Sequence, residues 1–422
     1  MMNILWVKMG GLWPPTSGGR TRSLQIISEL SHRHAVTIVT THGEGDDPAG
    51  LAERLPRCQR IFSFEYSVPK RGSARFPLSV ARSWLSRDPV DLWKWRVASV
   101  RECVQSLMEG GGIDVCVADF LFAVNNVPVG GPTPVVLFEH NVEYLIWKRL
   151  CDLEMMPWRR ALLEIEWRKL RAREGAASAA ADLTVAVSED DCRRLAGLAP
   201  AANVTWIPTG VDIDYFSPAA TAERPAHLVF SGSMDWHPNE DAVRYFIDEI
   251  LPLVRRNVPE VTFSVVGRNP TPELRAVAAA AGVEVTGTLD DIRPAVAQAA
   301  LCVVPLRAGS GTRLKIFEAL AMGKAVVSTT LGAEGLAMES GRHFVAADGS
   351  RAFADAVVAL LRDGPRRRRI AAAGRALVVD RYSWAQVALP FERHCQAAVE
   401  SHATIRTVAR RHPHLSPAGS TR

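Results

Sequence analysis

Apolar runs four or five residues long recur along this chain, separated by longer stretches whose apolar residues return at the 3.6-residue spacing of a helix face. In the first half the runs predict strands over residues 4–7, 36–40, 115–118, 135–138 and 184–187. In the second half they predict strands over 227–231, 262–266, 283–286, 301–304 and 325–328. The two patterns alternate almost from end to end, so the expected class is α/β, with parallel sheets built from βα units. Proline and glycine cluster at Trp206-Ile207-Pro208-Thr209-Gly210-Val211-Asp212 and on to Pro225, marking a turn and a linker. A boundary is therefore expected near residue 212, giving one domain over 1–211 and a second over 212–382. A last helix is expected over 383–400, and residues 401–422, which lack apolar periodicity, as a disordered tail.

Composition narrows the class of molecule. A length of 422 residues suits two domains with separate cores, and 47% hydrophobic with 23% charged residues is ordinary for a globular chain. The net charge of +5 is uneven, because residues 401–422 hold four arginines and no acid. The body is thus close to neutral, which argues against a nucleic-acid partner. Seven cysteines lack paired spacing, and Cys116 and Cys302 lie inside apolar runs, so a reducing, cytoplasmic compartment is expected. The apolar run after Met1 is too short for a signal peptide and reads as a first strand. Residues 115–138 are poor in charge, but Asp119, two asparagines, two glycines and three prolines interrupt them as a membrane span.

The densest chemical signal runs from Ala308 to Gly323, a small-residue loop feeding a short helix with Lys315 and Glu318 on nearly one face. Free backbone N–H groups and the positive end of a helix suit a phosphate, and Lys315 adds a full charge. Glu318 can accept hydrogen bonds from sugar hydroxyls. Ser310 to Gly323, with Pro305 before and Gly332-Ala333-Glu334-Gly335-Leu336 after, resembles the donor-binding signature of retaining glycosyltransferases of the GT-B architecture, family 4.

That resemblance implies two facing Rossmann-like doubly wound domains with an interdomain cleft, a hinge at Gly210-Val211-Asp212, and a last helix packing back onto the first domain. It implies transfer of a sugar from a nucleotide diphosphate donor to a hydroxyl acceptor (a glycan, a polysaccharide or a lipid-linked precursor) with retention of configuration. The family signature usually has two glutamates separated by seven residues; Glu318 matches the second, the ribose contact, and Ser310 stands at the first. A non-catalytic nucleotide-sugar-binding protein and a GT-B epimerase stay open as alternatives. No cofactor and no obligatory metal are expected, since an Asp-x-Asp metal element is lacking.

The remaining candidates follow strand ends, where ligands meet parallel sheets. Gly18 and Gly19 open the first helix and leave room for a ligand, although a turn serves equally well as their purpose. His140, just past the strand over 135–138, is a candidate to touch the donor sugar or the acceptor; Asn141 as a helix cap is the plainer reading of that stretch. Gly232 and Ser233 offer donors to a diphosphate, with Asp235 and Asn239 read as turn and cap residues. Arg268 is either a wall for a planar base or a solvated arginine. The expected catalytic set is thus His140, Lys315 and Arg313. The donor-binding set is Gly18, Gly19, Gly232, Ser233, Arg268, Ser310, Gly311, Thr312 and Glu318. Tryptophans and arginines interleave over 71–101 and 154–174; contact with an anionic membrane is weighed there against an ordinary packed amphipathic helix. Location is expected to be cytoplasmic, with a peripheral place at the inner face of the cell membrane left open.

Overall fold

The computed structural model describes residues 1–69, 75–308 and 314–411. Two compact units emerge: Met1–Ile207 with the chain from Ala388 onward, and Pro208–Val387. The boundary falls before Pro208 rather than after residue 211. The last helix, Trp384–Arg411, outruns its expected end, so residues 401–411 of the expected tail are helical. Residues 412–422 lie outside the described residues.

The first unit holds a seven-stranded sheet of β1 (Asn3–Lys8), β2 (Ala35–His42), β3 (Arg60–Glu65), β4 (Val115–Asp119), β5 (Val135–Phe138), β6 (Leu183–Ala186) and β7 (Val204–Trp206). Every neighbouring pair runs parallel, in the order β3-β2-β1-β4-β5-β6-β7. The order reverses between β1 and β4, the switch point where such sheets hold ligands. Ile4, Leu5, Trp6 and Val7 are all fully buried, which explains why β1 reads as a continuous apolar run. From the far end of the chain Phe391 joins this core, with ring centroids 5.6 Å from Trp6 and 4.9 Å from Phe138.

The second unit repeats the plan with six strands: β8 (His227–Ser231), β9 (Thr262–Val266), β10 (Glu284–Gly287), β11 (Leu301–Val304), β12 (Ala325–Ser328) and β13 (Val345–Ala346). Their order is β10-β9-β8-β11-β12-β13, again parallel throughout, with the reversal between β8 and β11. Phe230, Phe246, Phe263, Phe317 and Phe353 fill its interior. Each such ring contributes roughly 2–3 kcal/mol through the apolar surface it removes from water. All seven cysteines are free, and Cys116, Cys151, Cys302 and Cys395 are buried as small core residues.

Candidate functional site

In the second unit, the predicted residues gather at the carboxyl ends of β8 and β9. Lys315, second in the Leu314–Ala321 helix, is half-buried with Nζ 4.0 Å from the centroid of the Phe230 ring and donates to Asn239 Oδ1 at 2.7 Å. Gly232 follows β8 directly, and a Cβ there would meet Lys315 Nζ at 2.6 Å and Asn239 Nδ2 at 2.8 Å. Any side chain at this position would displace the ammonium group and the buried Asn239 amide from their bond, so the glycine keeps both in place. Asn239 also donates to the Ser233 carbonyl oxygen at 2.8 Å, so one buried amide ties the β8 loop to the lysine. The expected cap role for Asn239 is corrected: it stands inside the His237–Tyr245 helix, and its side chain positions Lys315.

Arg268, past β9, donates through Nε to Ser233 Oγ at 2.6 Å, and Ser233 donates in turn to Asp235 Oδ1 at 2.6 Å. Asp235 also accepts from Asn269 at 3.0 Å, and these bonds hold its carboxyl below the usual range. Arg268 is thus tethered across two loops, which neither sequence reading of it anticipated. Glu318, one helical turn beyond Lys315, is half-buried and has no hydrogen-bond partner among the described residues. Burial pushes its carboxyl up to about 7, against the pull of the Lys315 charge. Ser310, Gly311, Thr312 and Arg313 lie outside the described residues. A recess of about 370 Å³ beside Leu336, Met338, Arg342 and Arg381 is lined by none of the predicted residues.

In the first unit, Gly18 and Gly19 open the Gly18–Ser31 helix, where Ser17 Oγ accepts from Arg20 N. A Cβ on Gly19 would lie 3.1 Å from His140 Nδ1, so the glycine turn roofs the imidazole. His140 is 4% exposed and packs between Phe120 and Phe138, at centroid distances of 5.5 and 4.8 Å. Its Nε2 lies 2.8 Å from Asp119 Oδ1, a close contact off the line of an aligned hydrogen bond. Burial first, and then the Lys8 charge, bring its pKa down to about 3, so the ring is neutral at physiological pH.

Sequence reasoning missed what surrounds this histidine. Lys8 and Asp119 end β1 and β4 and face each other in register; Lys8 Nζ lies 3.0 Å from Asp119 Oδ1, and Trp6 Nε1 donates to Oδ2 at 2.7 Å. Lys8 and His140 hold Asp119 well below the usual carboxylate range despite its burial. Phe120 next to it has φ +78° and ψ 155°, a region used almost only by glycine that costs another residue roughly 1–3 kcal/mol. Asn141 is not a side-chain cap: Glu174 receives the N–H groups of Glu143 and Tyr144 at 2.7 and 3.2 Å instead. Next to His140, Glu139 is buried with no aligned hydrogen bond to either carboxyl oxygen among the described residues, and burial with Glu174 and Glu143 pushes its pKa well up. The legible signal was two neighbouring strands each ending on an opposite charge, and a glutamate on either side of His140.

Comparison with known proteins matches both units. Residues 225–363 match the family described as glycosyl transferases group 1, and residues 16–215 match glycosyltransferase family 4. The chain is 31% identical over 239 residues to the phosphatidyl-myo-inositol mannosyltransferase of Mycobacterium tuberculosis; the match takes in 53% of this chain and 62% of that relative's length. Among solved structures, sucrose-phosphate synthase from Thermosynechococcus elongatus superposes with a TM-score of 0.69 at 15% identity, over 95% of this chain and 100% of that one. HepE of Anabaena in complex with UDP-glucose superposes with a TM-score of 0.63 at 17% identity, over 94% and 100%. These likenesses show that the two-unit α/β fold is GT-B.

Proposed function

The chain belongs to the family 4, group 1 glycosyltransferases, and from that premise we propose that it transfers a sugar from a nucleotide diphosphate donor to a hydroxyl acceptor with retention of configuration. The observation that carries this reading is the Lys315 ammonium, fixed by Asn239 beside the bare Cα of Gly232 and one turn from the Glu318 carboxyl, which has no hydrogen-bond partner among the described residues. A diphosphate needs a fixed cation and open backbone; a ribose diol needs a carboxylate acceptor. When the glycosidic bond breaks, negative charge collects on the departing diphosphate, and Lys315 stabilises it without rearranging. On sequence grounds Arg313 adds a second charge, and Ser310, Gly311 and Thr312 add hydroxyl and backbone donors. Gly232, Ser233 and Arg268 complete the donor set.

Retention follows a same-face reaction in which the leaving phosphate takes the acceptor proton, so no protein nucleophile is required. His140 acts as a neutral hydrogen-bonding group, with Gly18 and Gly19 shaping the backbone over it. No metal is needed in this reading, and transfer is expected to persist in EDTA. The mycobacterial relative's name favours a lipid-linked acceptor and the HepE complex a UDP-type donor, handled on the cytoplasmic side. Incubation with a panel of nucleotide-sugars tests the reading: transfer or slow hydrolysis of one donor is expected, with affinity at least about tenfold weaker in Lys315→Ala and Glu318→Ala. Saturable binding with neither transfer nor hydrolysis would instead support the non-catalytic alternative, in which Ser310 has taken the place of a needed glutamate.

A further inference from the structure

We infer that the outer face of the Pro157–Ala180 helix, with the end of the Arg75–Trp84 helix, docks on an anionic lipid surface. Trp158, Leu162 and Ile165 recur at i, i+4 and i+7, so they form one stripe. All three are exposed, Trp158 at 57%, and Met155 just before the helix is 91% exposed. The opposite side of the helix packs inward through Leu170 and Glu174. A helix packed on a globular body normally turns its polar face to water; here a large apolar stripe faces outward.

The stripe continues onto a second element. Lys169, four residues after Ile165 on the same line, donates through Nζ to the Ser83 carbonyl oxygen at 3.0 Å. That bond brings Trp84, 57% exposed, and Leu85, 91% exposed, beside the stripe.

The charges around the patch choose its occupant. Exposed cations flank it: Arg159 on the helix and Arg82 and Arg87 on the neighbouring element, with Arg168 beside them paired to Glu164. The acids of the helix are drawn inward or neutralised. Glu166 accepts from Val90 N at 2.8 Å, Glu174 takes two backbone N–H groups, and Glu164 binds Trp167 Nε1 at 2.8 Å and Arg168 Nε at 2.7 Å. Exposed tryptophan and methionine inside an arginine rim match the boundary between lipid headgroups and acyl chains, with phosphates meeting the arginines. A second copy of the chain would set two positive rims against each other. No described helix is long and apolar enough to cross a membrane, so the contact is peripheral.

This surface deepens the proposal of a lipid-linked acceptor and rests on none of the donor geometry. Co-sedimentation of the full chain with phosphatidylcholine vesicles, with and without about one third phosphatidylglycerol, tests it. Binding is expected only with the anionic lipid, weakening as salt rises. The pairs Trp158→Ser with Ile165→Ser, and Arg87→Glu with Arg159→Glu, should each lower vesicle affinity at least about tenfold while Tm and nucleotide binding stay unchanged. Failure of the wild-type chain to bind anionic vesicles, or unaltered binding by both pairs, overturns the inference. So does a dimer seen by light scattering that the Trp158→Ser, Ile165→Ser pair dissolves. Vesicle binding by a chain that binds no nucleotide-sugar would leave this surface standing and remove the transferase reading.

Discussion

Lys315 works through the company it keeps. Asn239 fixes its ammonium group and is itself buried, so Asn239→Ala should lower Tm by a few degrees and transfer roughly tenfold, read as kcat/KM, a loss of activity beyond the loss of stability. Glu318 carries the opposite kind of tension, because its carboxyl, raised to about 7, keeps its proton in the folded chain where the unfolded chain has lost it. Its contribution to stability therefore falls as pH rises from about 4.5 to 7. Glu318→Gln should gain on the order of 2 kcal/mol at pH 8 and nothing near pH 4, measured by urea denaturation, while losing donor affinity. Asp119 is the reverse case. With Lys8, His140 and the Trp6 indole N–H converging on it, Asp119→Asn leaves a buried ammonium unpaired and should cost about 3–5 kcal/mol.

At the scale of elements, function collects where parallel strands stop. β1 and β4 end on Lys8 and Asp119, β5 hands over to Glu139 and His140, and β8 ends in the Gly232 turn. Gly232→Ala should abolish donor binding with a smaller loss of Tm, since its Cβ would strike Lys315 and Asn239 while the strand before it stays intact. The ten predicted strands all exist, five with the expected bounds, because strands buried on both faces write continuous apolar runs. β3, β7 and β13 escaped notice for the same reason turned round. The first is a half-exposed edge strand with polar residues, and the others are three and two residues long. The Lys315–Glu318 helix and the Gly18-Gly19 turn were legible from glycine and charge spacing. The partnership of Asn239 with Lys315 spans 76 residues, and the meeting of Trp6, Lys8 and His140 around Asp119 joins three strand ends; only the folded registers create them.

Across the whole molecule, the first unit hides carboxyl groups that resist ionisation. Burial first, and then Glu174, push Glu143 up to about 8, with Glu174 itself up to about 7. Folded Glu143 thus retains a proton that the unfolded chain releases above pH 4.5, and stability drains away as pH climbs toward 8. Glu143→Gln should match the wild type at pH 4 and exceed it by about 3 kcal/mol at pH 9, seen as separating Tm curves. The last helix bears on the same unit. Phe391→Ala, which strips a ring from Trp6 and Phe138, should cost about 3–5 kcal/mol. Because that ring follows the whole of Pro208–Val387 in the chain, the first unit must wait until the second has been synthesised before its own interior is sealed. A nascent chain stalled before Ala388 would carry a finished second unit behind an unfinished first one, the half most exposed to chaperones and proteases.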